Sequence, residues 1–238
     1  MRLRDLQDNW NRMAKEDPFW AVSTAPQYRG GKWDPAKFFA TGQVEVNEIL
    51  DYAAKAGLPI RRAQALDFGS GLGRLTQALG DHFEQVVGVD IAPAMVDQAT
   101  ALNTRGEKVS YFLNERDDLQ VYPSASVDFV LSDITLQHMR PEYSKRYIAE
   151  FLRLLRPGGV AAFQLPDPTR KQWIKSLVPR FILDPALRMR ARKSPRMEMY
   201  GVSRSDIEAL AMGCGVRVAV VEEISEGPHG NRRYYVQR

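Results

Sequence analysis

The residues best placed to do chemistry gather in one short stretch, Asp67-Phe68-Gly69-Ser70-Gly71-Leu72-Gly73-Arg74. An apolar run ends in an acid, glycines recur at every second position, and an apolar helical pattern begins at Leu75. A strand that turns tightly into a helix leaves unpaired N–H groups and the positive end of a helix dipole facing a ligand. Glycine lets the backbone turn left-handed and lets a ligand lie against bare main chain. Asp67 adds a fixed negative charge to the same crevice. This combination suits a ligand with an ammonium, a carboxylate and a ribose better than one with a pyrophosphate. The dinucleotide fingerprint Gly-x-Gly-x-x-Gly fails here, because Arg74 stands where its third glycine would fall. A second acid, Asp90, closes the apolar segment Gln85–Asp90 a little over twenty residues beyond Asp67. In nucleoside-binding βαβ units an acid at that place accepts hydrogen bonds from ribose hydroxyls.

A proton acceptor is harder to choose. His138 follows the fourth apolar segment directly, and an imidazole's ordinary pKa suits proton transfer near neutrality. The competing reading is a structural histidine. His229 and Tyr200 are weaker candidates, and His82 reads as a surface residue. Three scattered histidines and one cysteine make no metal-ligand spacing, so no transition-metal site is expected.

These residues need a scaffold, and the chain alternates strand and helix patterns. Strands are expected at Ala65–Asp67, Gln85–Asp90, Val109–Leu113, Ser126–Asp133 and Val160–Leu165. Helices are expected at Phe38–Lys55, from Leu75, from Pro93 to about Leu102, and from Pro141 to Leu155. Ser203-Arg204-Ser205-Asp206 resembles a capping box that opens one more helix. Val216–Ile224 and Tyr234–Val236 read as a closing strand pair. Alternation of this kind argues a parallel sheet covered on both faces.

At this point a resemblance is plain. ALDFGSGLGRLTQAL, then VVGVDIAPAMVDQA, then the Leu-Arg-Pro-Gly-Gly turn before strand five resemble the motifs of class I S-adenosylmethionine-dependent methyltransferases. The likeness runs from about residue 60 to about 165. It implies an α/β fold: a doubly wound, seven-stranded, mostly parallel Rossmann-like sheet whose seventh strand is inserted antiparallel. A helical N-terminal arm precedes it, and a helical lid insertion follows strand five. It also implies S-adenosyl-L-methionine as cofactor, with S-adenosyl-L-homocysteine as product. The turn residues Asp67, Gly69, Ser70, Gly71, Gly73 and Arg74 would meet the cofactor. Asp90 would take the ribose, while Ile91 and Met95 pack on the adenine. In the loop Asn114-Glu115-Arg116, Glu115 aligns with the acid that receives the adenine amino group, and Arg116 would use its backbone N–H. This loop departs from the usual Gly-Asp-Ala core, and Asp117 or Asp118 compete for the acid's role. Ser132, Asp133 and Ile134 would lie beside the methionine part. The family has no fixed catalytic residue, so His138 rests on its position alone.

The ends of the chain are less specific. Residues 1–35 are tryptophan-rich and broken by Pro18, Pro26, Gly30-Gly31 and Pro35, which reads as an irregular arm. It either packs on the core or roofs the active site. The segment 38–42 could touch the cofactor from above. Residues 166–200 form a basic insertion with nine arginines and lysines interleaved with Trp173, Phe181 and aliphatic residues. A solvated lid, an acidic substrate, a nucleic acid and a membrane surface all compete for it.

Composition sets the outer bounds. A chain of 238 residues, 44% hydrophobic, allows one domain with an elaboration, or barely two, and the resemblance implies a single methyltransferase domain over 1–238. Its expected parts are 1–58 (arm and helix), 59–165 (cofactor-binding core), 166–200 (lid) and 201–238 (last helix and strand pair). A net charge of +4 does not by itself call for nucleic acid. The single cysteine, Cys214, and the absence of an apolar run after Met1-Arg2-Leu3-Arg4 point to a cytoplasmic protein. No run approaches membrane-spanning length. A small-molecule acceptor is the preferred partner. A macromolecular substrate, RNA or protein, is the rival, and a non-enzymatic cofactor-binding scaffold a further option. Oligomeric state stays open.

Overall fold

Apolar segments of five or six residues cannot bury both faces alone, and here they line up into one sheet. The computed structural model describes residues 2–168, 197–225 and 231–238. Its strands are β1 (Gln64–Phe68), β2 (Gln85–Asp90), β3 (Val109–Leu113), β4 (Val127–Ser132), β5 (Leu155–Pro166), β6 (Arg217–Ser225) and β7 (Asn231–Gln237). They run in the order β3-β2-β1-β4-β5-β7-β6. The first five pair in parallel, while β7 lies antiparallel between β5 and β6. Strand order reverses at β1, whose Asp67 pairs with Gly88 of β2 on one side and Leu131 of β4 on the other. A crevice opens at such a switch point, beyond the carboxyl ends of the strands.

Period-two alternation assigns the two faces. Leu66, Phe68, Val130, Phe163 and Tyr234 enter one core, with Phe151 and Ile148 of helix α6 (Pro141–Leu154). Ala65, Phe129, Leu131 and Tyr235 enter the other, with Ile49 of α3 (Pro35–Lys55) and Leu79 of α4 (Arg74–Leu79). Helices α3 and α4 cross closely because Gly42 has no side chain: a Cβ there would stand 2.3 Å from the Arg74 carbonyl oxygen. Helix α5 (Pro93–Ala101) begins at proline, as expected, and α7 (Arg204–Gly213) is capped by Ser203, whose Oγ accepts from the Asp206 N–H at 3.2 Å.

The arm corrects one expectation. Residues 1–35 are not irregular throughout, because Leu3–Glu16 forms a regular helix, α1, followed by a short α2 (Pro18–Val22). Leu3, Leu6, Trp10 and Met13 already have helical spacing, and every breaker lies after them. Polar bonds pin α1 to α5. The Asn11 Oδ1 accepts from the Ala94 N–H at 3.0 Å, and the Gln98 amide donates to the Ala14 carbonyl at 2.9 Å. Of the basic insertion expected at 166–200, residues 169–196, with Trp173 and Phe181, lie outside the described residues, as does His229.

Candidate active site

A cavity of about 730 Å³ opens beyond the carboxyl ends of β1, β2 and β4. Of the residues singled out from sequence, Asp67, Gly69, Ser70, Gly71, Arg74, Asp90, Ile91, Met95, Asn114, Asp133 and His138 line it. The arm reaches it too, through Leu3, Leu6, Trp10 and Val22, so it both packs on the core and walls the cavity. Thr41 of α3 also touches it, as the 38–42 segment suggested, whereas Phe38 is buried in the core with Met13 and Ala21.

Four residues stand elsewhere. Ser132 is fully buried and donates to the Phe68 carbonyl at 3.1 Å, tying β4 to β1. Gly73 turns left-handed, with φ of 83°, where any Cβ would collide with the Tyr111 ring. Its freedom serves packing rather than a ligand. Glu115 is exposed and accepts from the Gln7 amide of α1 at 2.7 Å. The Arg116 N–H donates to the Asn114 side chain at 3.3 Å, and its carbonyl accepts from the Tyr147 hydroxyl. The long glutamate and arginine turn outward, and Asn114 folds the loop back on itself through the Arg116 and Asp118 carbonyls.

The glycine turn also differs from expectation. Its N–H groups are largely engaged within the protein. Gly69 and Ser70 both donate to the Val89 carbonyl, at 2.8 and 3.1 Å, and Gly73 donates to Ser70. Gly71 donates to Asp90 Oδ2 at 2.9 Å, while Asp90 Oδ1 accepts from Ala92 at 2.8 Å. Asp90 therefore clamps the first turn to the second. A carboxylate offers about four lone-pair sites, so the backbone N–H groups leave Asp90 capacity to accept from a ligand. Burial raises the Asp90 pKa, an effect those backbone N–H groups partly offset.

Charges are concentrated on one side. Burial pushes the Asp67 pKa up to about 7, against the hydrogen bond that its Oδ2 accepts from Thr76 at 2.6 Å. Its charge is therefore not fixed near neutrality. Arg74 pairs with Glu45 of α3 at 2.7 Å, and the Arg233 Nη2 of β7 donates to Asp133 Oδ1 at 3.0 Å. With its amide nitrogen turned toward the acid, Gln164 donates to both Asp133 oxygens, at 2.8 and 3.2 Å. Burial and the nearby Glu45 raise Asp133 to about 7, although Arg233 pulls the other way. Glu45 shifts oppositely: burial raises it, but Arg74 and hydrogen bonding more than offset that. Sequence reasoning missed Glu45, Gln164 and Arg233. The charge of Arg233 gave no sign of a buried partner, because its strand also carries Asn231, Arg232 and Gln237.

His138 also lines the cavity and is 8% exposed. Its Nδ1 stands 3.0 Å from the Glu198 carbonyl oxygen, which can only accept, so Nδ1 carries the proton. Nε2 then accepts a long hydrogen bond from the Gln137 amide nitrogen at 3.4 Å, which an incoming donor would have to displace. Trp10 packs edge-on against the imidazole at 5.2 Å. Burial lowers the histidine's pKa, partly countered by the bond to Glu198. Among the described residues no group of acids, histidines and cysteines is arranged to hold a metal.

Fold and glycine turn are like those of the class I S-adenosylmethionine-dependent methyltransferases. Residues 66–163 match the methyltransferase domain family. Two named relatives give the distance. The trans-aconitate 2-methyltransferase of Methylobacterium radiotolerans is 28% identical over 57% of this chain and 50% of its own. The ubiquinone biosynthesis O-methyltransferase of Xylella fastidiosa is 29% identical over 65% and 62%. The chain spans about half the length of most of the curated relatives it matches. Among solved structures, magnesium protoporphyrin IX methyltransferase from Synechocystis, with bound S-adenosylhomocysteine, superposes with TM-score 0.65 at 18% identity, over 99% of each chain. A methyltransferase from Leishmania major superposes with TM-score 0.68 at 16% identity, over 99% of this chain and 82% of its own. At such identities these two structures speak for the fold.

The residues present fit the cofactor of this class. The cavity is within the roughly 300–1,000 Å³ of small-ligand sites. The buried Ser70 Oγ and Arg74 Nε on its wall have no partner within the protein. Asp90 and Asp67 supply acceptors for hydroxyl and ammonium groups.

Proposed function

We propose that this chain transfers the methyl group of S-adenosylmethionine to a small-molecule acceptor through an oxygen, nitrogen or carbon nucleophile. One observation carries the reading: Asp90, clamped to Gly71, and His138, whose proton sits on Nδ1, line one cavity. Asp90 accepts from the ribose hydroxyls. Ile91 and Met95 pack on the adenine beside Asn114, and Asp67, Ser70, Gly71 and Arg74 hold the methionine part near Asp133. When bound, the sulfonium supplies an electrophilic methyl carbon. It is taken by the nucleophile as the S–C pair stays on sulfur. The protein's share is positioning and exclusion of water. Trp10, Leu3 and Leu6 close the cavity from the arm side. His138 Nε2 takes the proton from an acceptor that holds one at neutral pH. The names of the relatives, an aconitate and a ubiquinone-pathway methyltransferase, support a small acceptor.

The whole chain acts as one methyltransferase domain in this reading. A reducing compartment such as the cytoplasm agrees with the single free cysteine, Cys214. No described helix is long and apolar enough to cross a membrane. Calorimetric titration with S-adenosylmethionine tests the proposal, paired with a methyl-transfer screen of small acceptors and of RNA. Micromolar cofactor binding with turnover on a small acceptor supports it. No binding overturns it, and turnover on RNA alone replaces its acceptor class.

A further inference from the structure

The acceptor half of the cavity has a chemistry of its own. Its wall is made by Leu3, Leu6, Trp10, Ile134, Met139 and Met199. Large apolar side chains are normally withdrawn from solvent, yet Ile134 is 42% exposed and Met199 40%. Ile134 is also held at φ of 51°, a left-handed conformation that a β-branched residue rarely adopts. Strain of this kind persists only where the surroundings enforce it, and it gathers at ligand clamps. Here it follows Asp133 directly and presents an isoleucine to the cavity. Methionine sulfur is polarisable and packs favourably against ring edges, so Met139 and Met199 suit a flat aromatic occupant.

Charge narrows the choice further. Among the described lining residues Glu45, Asp67, Asp90 and Asp133 stand against Arg74 alone, besides His138. Arg74 is already paired with Glu45. Among the described residues an anionic acceptor therefore meets no unpaired lining cation. A carboxylate nucleophile would also have no use for a base. His138 offers a lone pair at Nε2 because the Glu198 carbonyl holds the proton on Nδ1.

We infer that the acceptor is an uncharged, apolar aromatic molecule bearing a phenol-type hydroxyl, seated between Ile134, Met199 and Trp10 with its oxygen at His138 Nε2. The inference rests on the methyltransferase reading above and narrows its acceptor class. The hydroxyl proton passes to Nε2 as the oxygen–methyl bond forms and the sulfur–methyl pair returns to sulfur, giving a methyl ether, S-adenosylhomocysteine and an imidazolium.

Binding without turnover tests it. The full chain is titrated with naphthol, naphthoate and citrate, both alone and saturated with S-adenosylhomocysteine. At about pH 7 naphthol is neutral and naphthoate ionised, while the two have nearly the same shape. Naphthol should bind more tightly than naphthoate or citrate by about tenfold or more, because a buried carboxylate without a partner is costly. Ile134→Asn tolerates the left-handed backbone, and Met199→Glu lies on a separate segment. Each should weaken naphthol by roughly five- to tenfold through lost apolar contact, and Met199→Glu should leave S-adenosylhomocysteine affinity within about twofold. Tighter binding of naphthoate or citrate, no naphthol binding, or unchanged naphthol affinity in both variants overturns the inference. Loss of S-adenosylhomocysteine binding by the unmodified chain instead overturns the cofactor reading, and the titrations of the free protein still rank the acceptors.

Discussion

Arg233 of β7 donates through Nη2 to Asp133 Oδ1 at 3.0 Å, with side chains 7% and 2% exposed, so the ion pair at the end of β4 is sealed from water. Breaking one side of such a pair strands a buried charge, at a cost of about 3–5 kcal/mol. Arg233→Met should therefore be strongly destabilised. Burial already pushes Asp133 up to about 7, so losing Arg233 raises it further, and the stranded acid can escape by taking a proton. The loss should be largest above that pKa and shrink as pH falls below it. Urea unfolding at about pH 6 and pH 8.5 checks this, since each pKa unit is about 1.4 kcal/mol. A loss of equal size at both would assign the stability to packing instead.

Asp67 carries a second pH signature. Its pKa lies near 7 in the free protein because of burial. An arriving ammonium favours the carboxylate and lowers that pKa, so cofactor binding should release a proton at about pH 6.5 and none at about pH 9. Affinity should rise with pH up to neutrality. Calorimetry in two buffers of different ionisation enthalpy measures the release, which Asp67→Asn should abolish. The same raised pKa makes the folded chain hold a proton that the unfolded chain loses near 4. Stability from this group is full below that value and falls as pH rises toward 7.

Asp90 has two duties, and its removal should expose both. Asp90→Ala takes away a charged acceptor, worth roughly 1.5–3 kcal/mol per hydrogen bond, so S-adenosylmethionine affinity should fall about ten- to hundredfold. It also orphans the N–H groups of Gly71 and Ala92. A lowered unfolding midpoint should accompany weaker binding. A loss of affinity under about twofold would remove Asp90 from the site.

Gly42→Ala tests the crossing of α3 and α4. The added methyl would meet a backbone carbonyl at 2.3 Å and cannot be relieved by a side-chain rotation. Overpacking of this kind costs about 1–3 kcal/mol. Because the clash is with Arg74 itself, cofactor affinity should drop along with thermal stability.

His138 sets the pH profile of methyl transfer. Burial places its pKa below the ordinary 6.5, so the neutral base predominates at pH 7 and its rate contribution should vanish only in acid. His138→Gln should lower turnover of a hydroxyl acceptor by about 10²–10⁴-fold. The acid limb should disappear with it, while cofactor affinity stays within about twofold. A profile unchanged in the variant would make His138 a structural residue.

Residues that act close to their own strand were readable from sequence. Gln85–Asp90 and Val109–Leu113 form the strands expected of them, and the acid at the carboxyl end of each of β1, β2 and β4 lines the cavity. Local pattern carries that information: apolar period, terminating acid, glycine turn. Glu115 was misplaced because alignment on a loop says nothing of α1, whose Gln7 claims its carboxylate. The partners of Asp133 were invisible for a related reason. Glu45 and Arg233 come from opposite ends of the chain, and no period or spacing links them before the sheet exists. The turn's N–H groups were expected to face a ligand, yet Val89 and Asp90 take most of them through a cross-strand contact that no linear motif encodes.

The place of β7 bears on the order in which the molecule assembles. It is the last of the seven strands along the chain, yet it lies inside the sheet, between β5 and β6. While the chain is being synthesised, β6 has no neighbour to join, and β5 keeps an open flank until β7 emerges. Pairings this distant in sequence are slow to form, and an unpaired flank invites contact with other chains. The same late strand delivers Arg233 to Asp133. The polypeptide therefore passes through a stage in which the strands carrying Asp67 and Asp90 can already be paired while Asp133 still waits for its partner.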